Sequence, residues 1–93
     1  MTTLRWTVSG LRDLESVHQY IEADSPDAAA ETVDRIVALI DRLRSHPELG
    51  RKGRVAGTRD VILPPYIVAY RQTKAVIEIL AMVHSARQWP DSF

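Results

Sequence analysis

Apolar positions recur along this chain with two different periods. From Thr3 to Val8 the pattern alternates loosely, with Leu4, Trp6 and Val8 as its bulky members, which suits a short strand. Ser9 and Gly10 interrupt it, and Ser9 is a fair N-cap for a helix beginning there. Leu11, Leu14, Val17, His18 and Ile21 then return at helical spacing, while Arg12, Asp13, Glu15, Gln19 and Glu22 take the other faces, the mark of an amphipathic helix. Asp24-Ser25-Pro26-Asp27 is the sharpest boundary in the chain. Ser25 can cap a second helix, Pro26 fits its first position where no N–H is missed, and Asp27 complements its dipole. This helix is predicted from Pro26 to about Ser45, with Ala29, Val33, Ile36, Val37, Ile40 and Leu43 along one side. His46-Pro47 stops it, because the residue before a proline avoids the α region. The short connection makes the two helices an antiparallel hairpin.

Beyond Pro47 the pattern changes. Residues 47–57 hold three of the four glycines and read as a loop. After it the period is two: Arg59 to Leu63, ended by Pro64-Pro65, then Tyr66 to Arg71, then Val76 to His84. Each run is rich in β-branched or aromatic residues and bounded by a turn, which predicts three hairpin-connected strands. The predicted class is α+β in the order β-α-α-β-β-β: an N-terminal strand, a helical hairpin, and a three-stranded antiparallel meander with the helices on one sheet face. Residues 1–93 are expected to form one domain without repeats or linkers. In the last strand, Ile77, Ile79, Ala81 and Val83 are expected to meet the helices. Val76, Glu78, Leu80, Met82 and His84 would then form an outer face too apolar for free solvation, which favours a partner chain and points to Leu80 and Met82 as its contacts.

Composition narrows the function. At 93 residues the core is thin, and a partner can add much of the stability. With no cysteine there is no disulfide framework, thiolate nucleophile or cysteine-ligated metal. No apolar run approaches a membrane span and MTTLRWTVSG has no signal-peptide core, so the chain reads as cytoplasmic. The net charge of zero conceals an asymmetry: residues 1–46 carry five basic and eight acidic side chains, the remainder seven basic and four acidic. Arg42, Arg44, Arg51, Lys52, Arg54 and Arg59 face only Glu48 between positions 42 and 59. Two readings stand: a solvated connection, or a positive field that attracts phosphates or an acidic partner.

Candidate chemistry is sparse. His18 falls on the first helical stripe and His46 at a helix C-terminus, where an imidazolium suits the dipole. His84 ends the last strand and opens His84-Ser85-Ala86-Arg87-Gln88-Trp89-Pro90. It can act as an acid or base with Arg87 holding an anion, or simply pair with a strand neighbour while Trp89 caps the core. Glycine-rich phosphate loops and H-E-x-x-H are absent, and Gly50-Arg51-Lys52-Gly53-Arg54 lacks the spacing of a nucleotide cradle. No metal or cofactor is implied. Asp13 and Glu15 read as a solvated helix face.

Taken in order, Asp13-Leu14, Tyr20-Ile21, Pro47-x-x-Gly50-Arg51, Gly57-Thr58-Arg59-Asp60, Tyr66-Ile67-Val68-x-Tyr70-Arg71 and Ile79-Leu80-x-x-Val83-His84-x-x-Arg87-x-Trp89-Pro90 resemble the RelE/ParE superfamily of toxins from bacterial type II toxin–antitoxin systems. The resemblance spans nearly the whole chain. It implies neutralisation by a small antitoxin, usually with a ribbon-helix-helix DNA-binding part and a C-terminal segment that wraps the toxin, and repression of the operon with operator DNA reached through the antitoxin. RelE-like members cleave messenger RNA in the ribosome, whereas ParE-like members are linked to poisoning of DNA gyrase. The ending His84-x-x-Arg87-x-Trp89-Pro90 looks ParE-like, no tyrosine follows Tyr70, and Glu48 is displaced from a general-base position. The resemblance therefore implies a gyrase-directed growth inhibitor that contacts its target through Arg51, Arg54, Arg59, His84, Arg87 and Trp89. The alternative is a ribosome-dependent nuclease in which Arg59, Arg71, His84 and Arg87 converge on a phosphate. A second alternative is a degenerate, non-toxic interaction module.

Overall fold

The computed structural model describes residues 2–86 and 93. Its elements are β1 (Thr3–Trp6), α1 (Val8–Glu22), α2 (Pro26–Arg42), β2 (Arg51–Lys52), β3 (Arg59–Leu63), β4 (Tyr66–Thr73) and β5 (Val76–His84). Five strands form one sheet in the order β1-β5-β4-β3-β2. The predicted meander is present as β3, β4 and β5, joined by antiparallel ladders. The sheet as a whole is mixed, because β1 lies parallel to β5, Leu4 opposite Ile77 and Trp6 opposite Ile79. The crossover that parallel pairing requires is the helical hairpin together with the meander.

Two helix boundaries move from their predicted places. The N-cap of α1 is Thr7, not Ser9: its hydroxyl oxygen accepts the Gly10 N–H at 3.0 Å and its hydroxyl donates to the Ile79 carbonyl at 2.7 Å. One side chain thus caps the helix and docks it on β5. Gly10 is no interruption but the buried contact point of α1, since a Cβ there would stand 2.6 Å from the Ile79 carbonyl oxygen. Ser25 caps α2 as the sequence indicates, accepting the Ala28 N–H at 3.2 Å. That helix ends at Arg42, and Leu43 and Arg44 continue in tighter turns with N–H groups donating three residues back. The β3–β4 turn carries a cis Pro64–Pro65 peptide. Within residues 47–57, read as loop, Arg51 and Lys52 pair with Asp60 and Arg59 as a two-residue edge strand.

The core lies between α2 and one sheet face. Ile36, Ile40 and Leu43 pack against Val61, Tyr66, Val68, Tyr70, Ile77, Ile79 and Met82. Each large aliphatic side chain buried here contributes roughly 1.5–3 kcal/mol of transfer free energy. The predicted facing of β5 holds for Ile77 and Ile79 and then inverts. Ala69 pairs with Ala81 but Tyr70 pairs with Ile79, which leaves Leu80 as an extra residue in the strand. One inserted residue swaps every later side chain to the opposite face. Met82 therefore belongs to the core, 6% exposed, and His84 lies on the helix-bearing face with its ring edge-on to Tyr66 at 5.7 Å. Ala81 and Val83 take the other face. The outer-face reading of Met82 and His84 is corrected on this ground.

Asp13 is corrected too. Past the end of β1, the N–H of Met82 has no strand partner, and the Asp13 carboxylate accepts it at 2.9 Å. This carboxylate closes the exposed end of a sheet ladder rather than decorating a solvated helix face.

Candidate target-binding surface

The basic segment is built on the sheet edge by its smallest residues. Gly50 passes so close to the sheet that a Cβ would lie 2.7 Å from the Asp60 carbonyl oxygen and 2.8 Å from the Tyr70 ring. Its N–H donates to the Tyr70 hydroxyl at 2.9 Å, and that hydroxyl donates to the Pro47 carbonyl at 2.7 Å. The Arg59 guanidinium donates to the Gly50 carbonyl at 2.8 Å. Tyr70 and Arg59 thus fasten the end of the helical hairpin to the start of the basic hairpin. Burial pushes the Tyr70 hydroxyl pKa up, with the Gly50 N–H and the Arg59 charge opposing the shift.

The hairpin itself closes through the Gly53 N–H on the Thr58 carbonyl at 2.8 Å and the Thr58 hydroxyl on the Val55 carbonyl at 2.7 Å. Gly57 has φ +79°, a conformation that L side chains rarely adopt, with nothing within 4 Å of where a Cβ would stand. Beneath this hairpin lies Asp60, 2% exposed. One of its carboxylate oxygens, Oδ1, has no hydrogen-bond partner. Desolvation raises its pKa, opposed by the backbone N–H of Arg54 and by the Arg51 and Arg54 charges. Sequence reading missed Asp60, although its position opposite Arg51 is where a cross-strand counter-charge belongs.

The predicted site residues separate into different neighbourhoods. Arg51, Arg54 and Arg59 share the basic hairpin. Arg71 lies on the sheet face opposite Arg59, where it and Arg5 both pair with Glu78. Those two guanidiniums hold the Glu78 carboxyl below its usual range, Arg5 foremost, against the opposing cost of desolvation. His84 stands opposite Tyr66 while Arg59 stands opposite Tyr70, about 13 Å along the strand at ~3.3 Å per residue. The His84 Nδ1 accepts the Ala86 N–H at 3.1 Å. Arg59, Arg71 and His84 accordingly do not meet at one point. Arg87 and Trp89 lie outside the described residues. Leu80 lines a groove of about 510 Å³ between the start of α1 and β5, with Thr7, Asp13, Ala81 and Val83 on its walls. Among the described residues no three acidic or histidine side chains cluster as a metal site, and no helix is long and apolar enough to cross a membrane.

The strand, helical hairpin and meander thus carry a basic edge hairpin latched to the central strand β4. The family model described as ParE toxin of type II toxin–antitoxin system, parDE, matches residues 4–89. The chain is 46% identical to Y4kP of Sinorhizobium fredii over 89 residues, covering 94% of this chain and 92% of that one. It is 32% identical over 87 residues to Toxin RelE2 of Caulobacter vibrioides, covering 94% of this chain and 99% of the relative. Among solved structures, the chromosomal ParDE system of P. aeruginosa superposes with a TM-score of 0.80 at 27% identity, over 90% of this chain and 96% of that one. The toxin–antitoxin complex RelBE2 of Mycobacterium tuberculosis does so with 0.61 at 25% identity, over 89% and 96%. The chain belongs to the RelE/ParE superfamily of type II toxin–antitoxin toxins.

Proposed function

We propose that this toxin inhibits growth by acting on DNA gyrase, without a catalytic site of its own, and that a cognate antitoxin of ribbon-helix-helix type neutralises it in the cytoplasm. The observation that carries the gyrase reading is the dispersal of Arg59, Arg71 and His84 over two sheet faces and about 13 Å of strand. In-line attack by a ribose hydroxyl needs its acid, base and phosphate-binding groups within hydrogen-bond reach of one phosphate. The match to a ParE family model and the superposition on a ParDE system support the same branch. Arg51, Arg54 and Arg59 supply the positive field at the target, with His84, Arg87 and Trp89 as further contacts. Leu80, 7% exposed on the wall of the α1–β5 groove, is the apolar position that the antitoxin would reach there, and Met82, in the core, would contribute only indirectly.

Purified toxin tested on gyrase supercoiling and, separately, on translated messenger RNA decides between the branches. Inhibited supercoiling with intact mRNA supports the proposal, and Arg51→Gln then weakens the inhibition. Codon-position cleavage that His84→Ala abolishes would overturn it in favour of the nuclease. Normal growth of a host expressing the soluble chain alone would leave a non-toxic interaction module.

A further inference from the structure

We propose that Asp60 is a proton-operated switch for the basic hairpin: its neutral carboxyl lies beneath residues 53–58 closed on the sheet, and its ionised carboxylate favours lifting them. Asp60 alternates along β3 with the core residue Val61 and so leaves the sheet on the helix-free face, where it is nonetheless only 2% exposed. The hairpin rests directly on it. A Cβ at Gly53 would stand 3.0 Å from Asp60 Oδ1 and 2.4 Å from the Thr58 hydroxyl oxygen. Among the described residues Oδ1 has no hydrogen-bond partner. The nearby donors are committed elsewhere, the Thr58 hydroxyl to the Val55 carbonyl at 2.7 Å and the Gly53 N–H to the Thr58 carbonyl at 2.8 Å. Only the Arg54 N–H reaches the carboxylate. An ionised carboxylate buried with one oxygen unsatisfied is unfavourable unless the structure can yield.

Two cations oppose that burial. Arg51 stands opposite Asp60 on β2 and Arg54 approaches from the hairpin, and both favour the ionised form. The neighbouring strands add no charge in this row, since β4 presents Ala69 and β5 presents Ala81. Arg71, one row along β4, pairs with Glu78. The next β3 residue on this face is Ile62, and Lys52 and Arg59 leave from the opposite face. Desolvation outweighs the two cations, so the folded carboxyl holds its proton more tightly than an unfolded one. By linkage, ionisation then favours any state that returns the group to water. The smallest such rearrangement is local. β2 is two residues long, and of residues 53–57 Val55 alone has a half-buried apolar side chain, so little holds this cover down. Lifting it re-aims Arg54 on the surface assigned to the target. That consequence rests on the function proposed above, whereas the switch does not.

The test uses the whole isotope-labelled chain without any target. The Asp60 side-chain carboxyl signal and amide hydrogen exchange, corrected for intrinsic rates, are followed from pH 3 to 8. Asp60 is expected to titrate above 3.8, and the protection of the Gly53 amide to fall through the same midpoint. Each pH unit by which that midpoint exceeds 3.8 corresponds to about a tenfold change in opening. Gly53 exchange should be faster than that of Val68 and insensitive to dilute urea, the mark of local rather than global opening. Asp60→Asn, neutral at every pH and nearly isosteric, is expected to raise Gly53 protection at pH 7 and to abolish its pH dependence. Arg51→Gln removes a compensating cation and is expected to move the midpoint to higher pH. Titration of Asp60 at or below 3.8, Gly53 exchange that tracks Val68 through urea, or lower Gly53 protection in Asp60→Asn with Val68 unchanged would each overturn the switch.

Discussion

The carboxylate of Asp13, on the second turn of α1, accepts the backbone N–H of Met82 at 2.9 Å across 69 residues of sequence. The contact sits just past the bulge at Leu80 and beyond the end of β1, where the ladder of β5 would otherwise present an unpaired donor. Asp13→Ala leaves that N–H unsatisfied and is expected to cost about 1–3 kcal/mol. Asp13→Asn keeps an acceptor oxygen and should recover part of the loss. Urea denaturation of the three proteins measures the difference, and equal stability of all three would refute the role given to Asp13.

Tyr70 ties the turn after α2 to the sheet. Tyr70→Phe strands the Gly50 N–H and the Pro47 carbonyl at once, with an expected cost of about 1–3 kcal/mol. The loss should be local as well as global: hydrogen exchange at the Gly50 amide is expected to accelerate more than at Val68 or Ile79. Uniform acceleration across the sheet would mean that the hydroxyl does not fasten the basic hairpin.

Gly10 marks the closest approach of α1 to β5. Gly10→Ala gains helix propensity worth about 1 kcal/mol but places a methyl group 2.6 Å from the Ile79 carbonyl oxygen. Overpacking of this kind typically costs about 1–3 kcal/mol, and backbone cannot swing aside as a side-chain tip does. A lowered thermal midpoint is expected despite the better helix former; a raised one would show that the helix shifts freely.

Two carboxyl groups give the stability opposite pH dependences. The folded-state pKa of Glu78 is lowered from its ordinary 4.5 by Arg5 and Arg71. Its contribution is therefore present above 4.5 and is lost as pH falls through the depressed value. Asp60 is raised from 3.8, chiefly by desolvation, so its contribution is present below 3.8 and is lost as pH rises through the elevated value. Glu78→Gln should flatten the acid limb of the stability profile, and Asp60→Asn should remove the decline on its upper side. Denaturation midpoints between pH 3 and 7 test both. An unchanged profile in Asp60→Asn would show that its burial carries no ionisation cost.

Periodicity made most of the architecture legible, because each element announces itself within a few residues. Pro26 behind Ser25 located α2, and the period-two runs located β3 and β5 with their observed limits. What stayed hidden depends on contacts distant in sequence. Nothing near Leu80 marks it as an extra residue; the bulge is expressed only in the register between β4 and β5, and missing it put Met82 on the wrong face. Thr7 and Asp13 act through Ile79 and Met82, some seventy residues away, so a local reading assigned the cap to Ser9 and gave Asp13 to solvent. For the candidate surface, the clustering of basic residues was plain from charge counting. The division of Arg59 and Arg71 between two faces, and the burial of Asp60 beneath the hairpin, became visible only with the sheet assembled.

The parallel pairing of β1 with β5 sets an order on synthesis. Leu4 is made long before its partner Ile77, with both helices and three strands between them. The helical hairpin can form from local contacts while translation proceeds, but β1 waits without a neighbour until β5 arrives, and long loops of this kind close slowly. At about 5–20 residues per second, several seconds separate the two partners, and the sheet that carries the basic edge is completed only after that delay. A chain that ends before β5 thus already carries both helices and the basic edge residues, but β1 and β4 both lack the strand that joins them in the sheet.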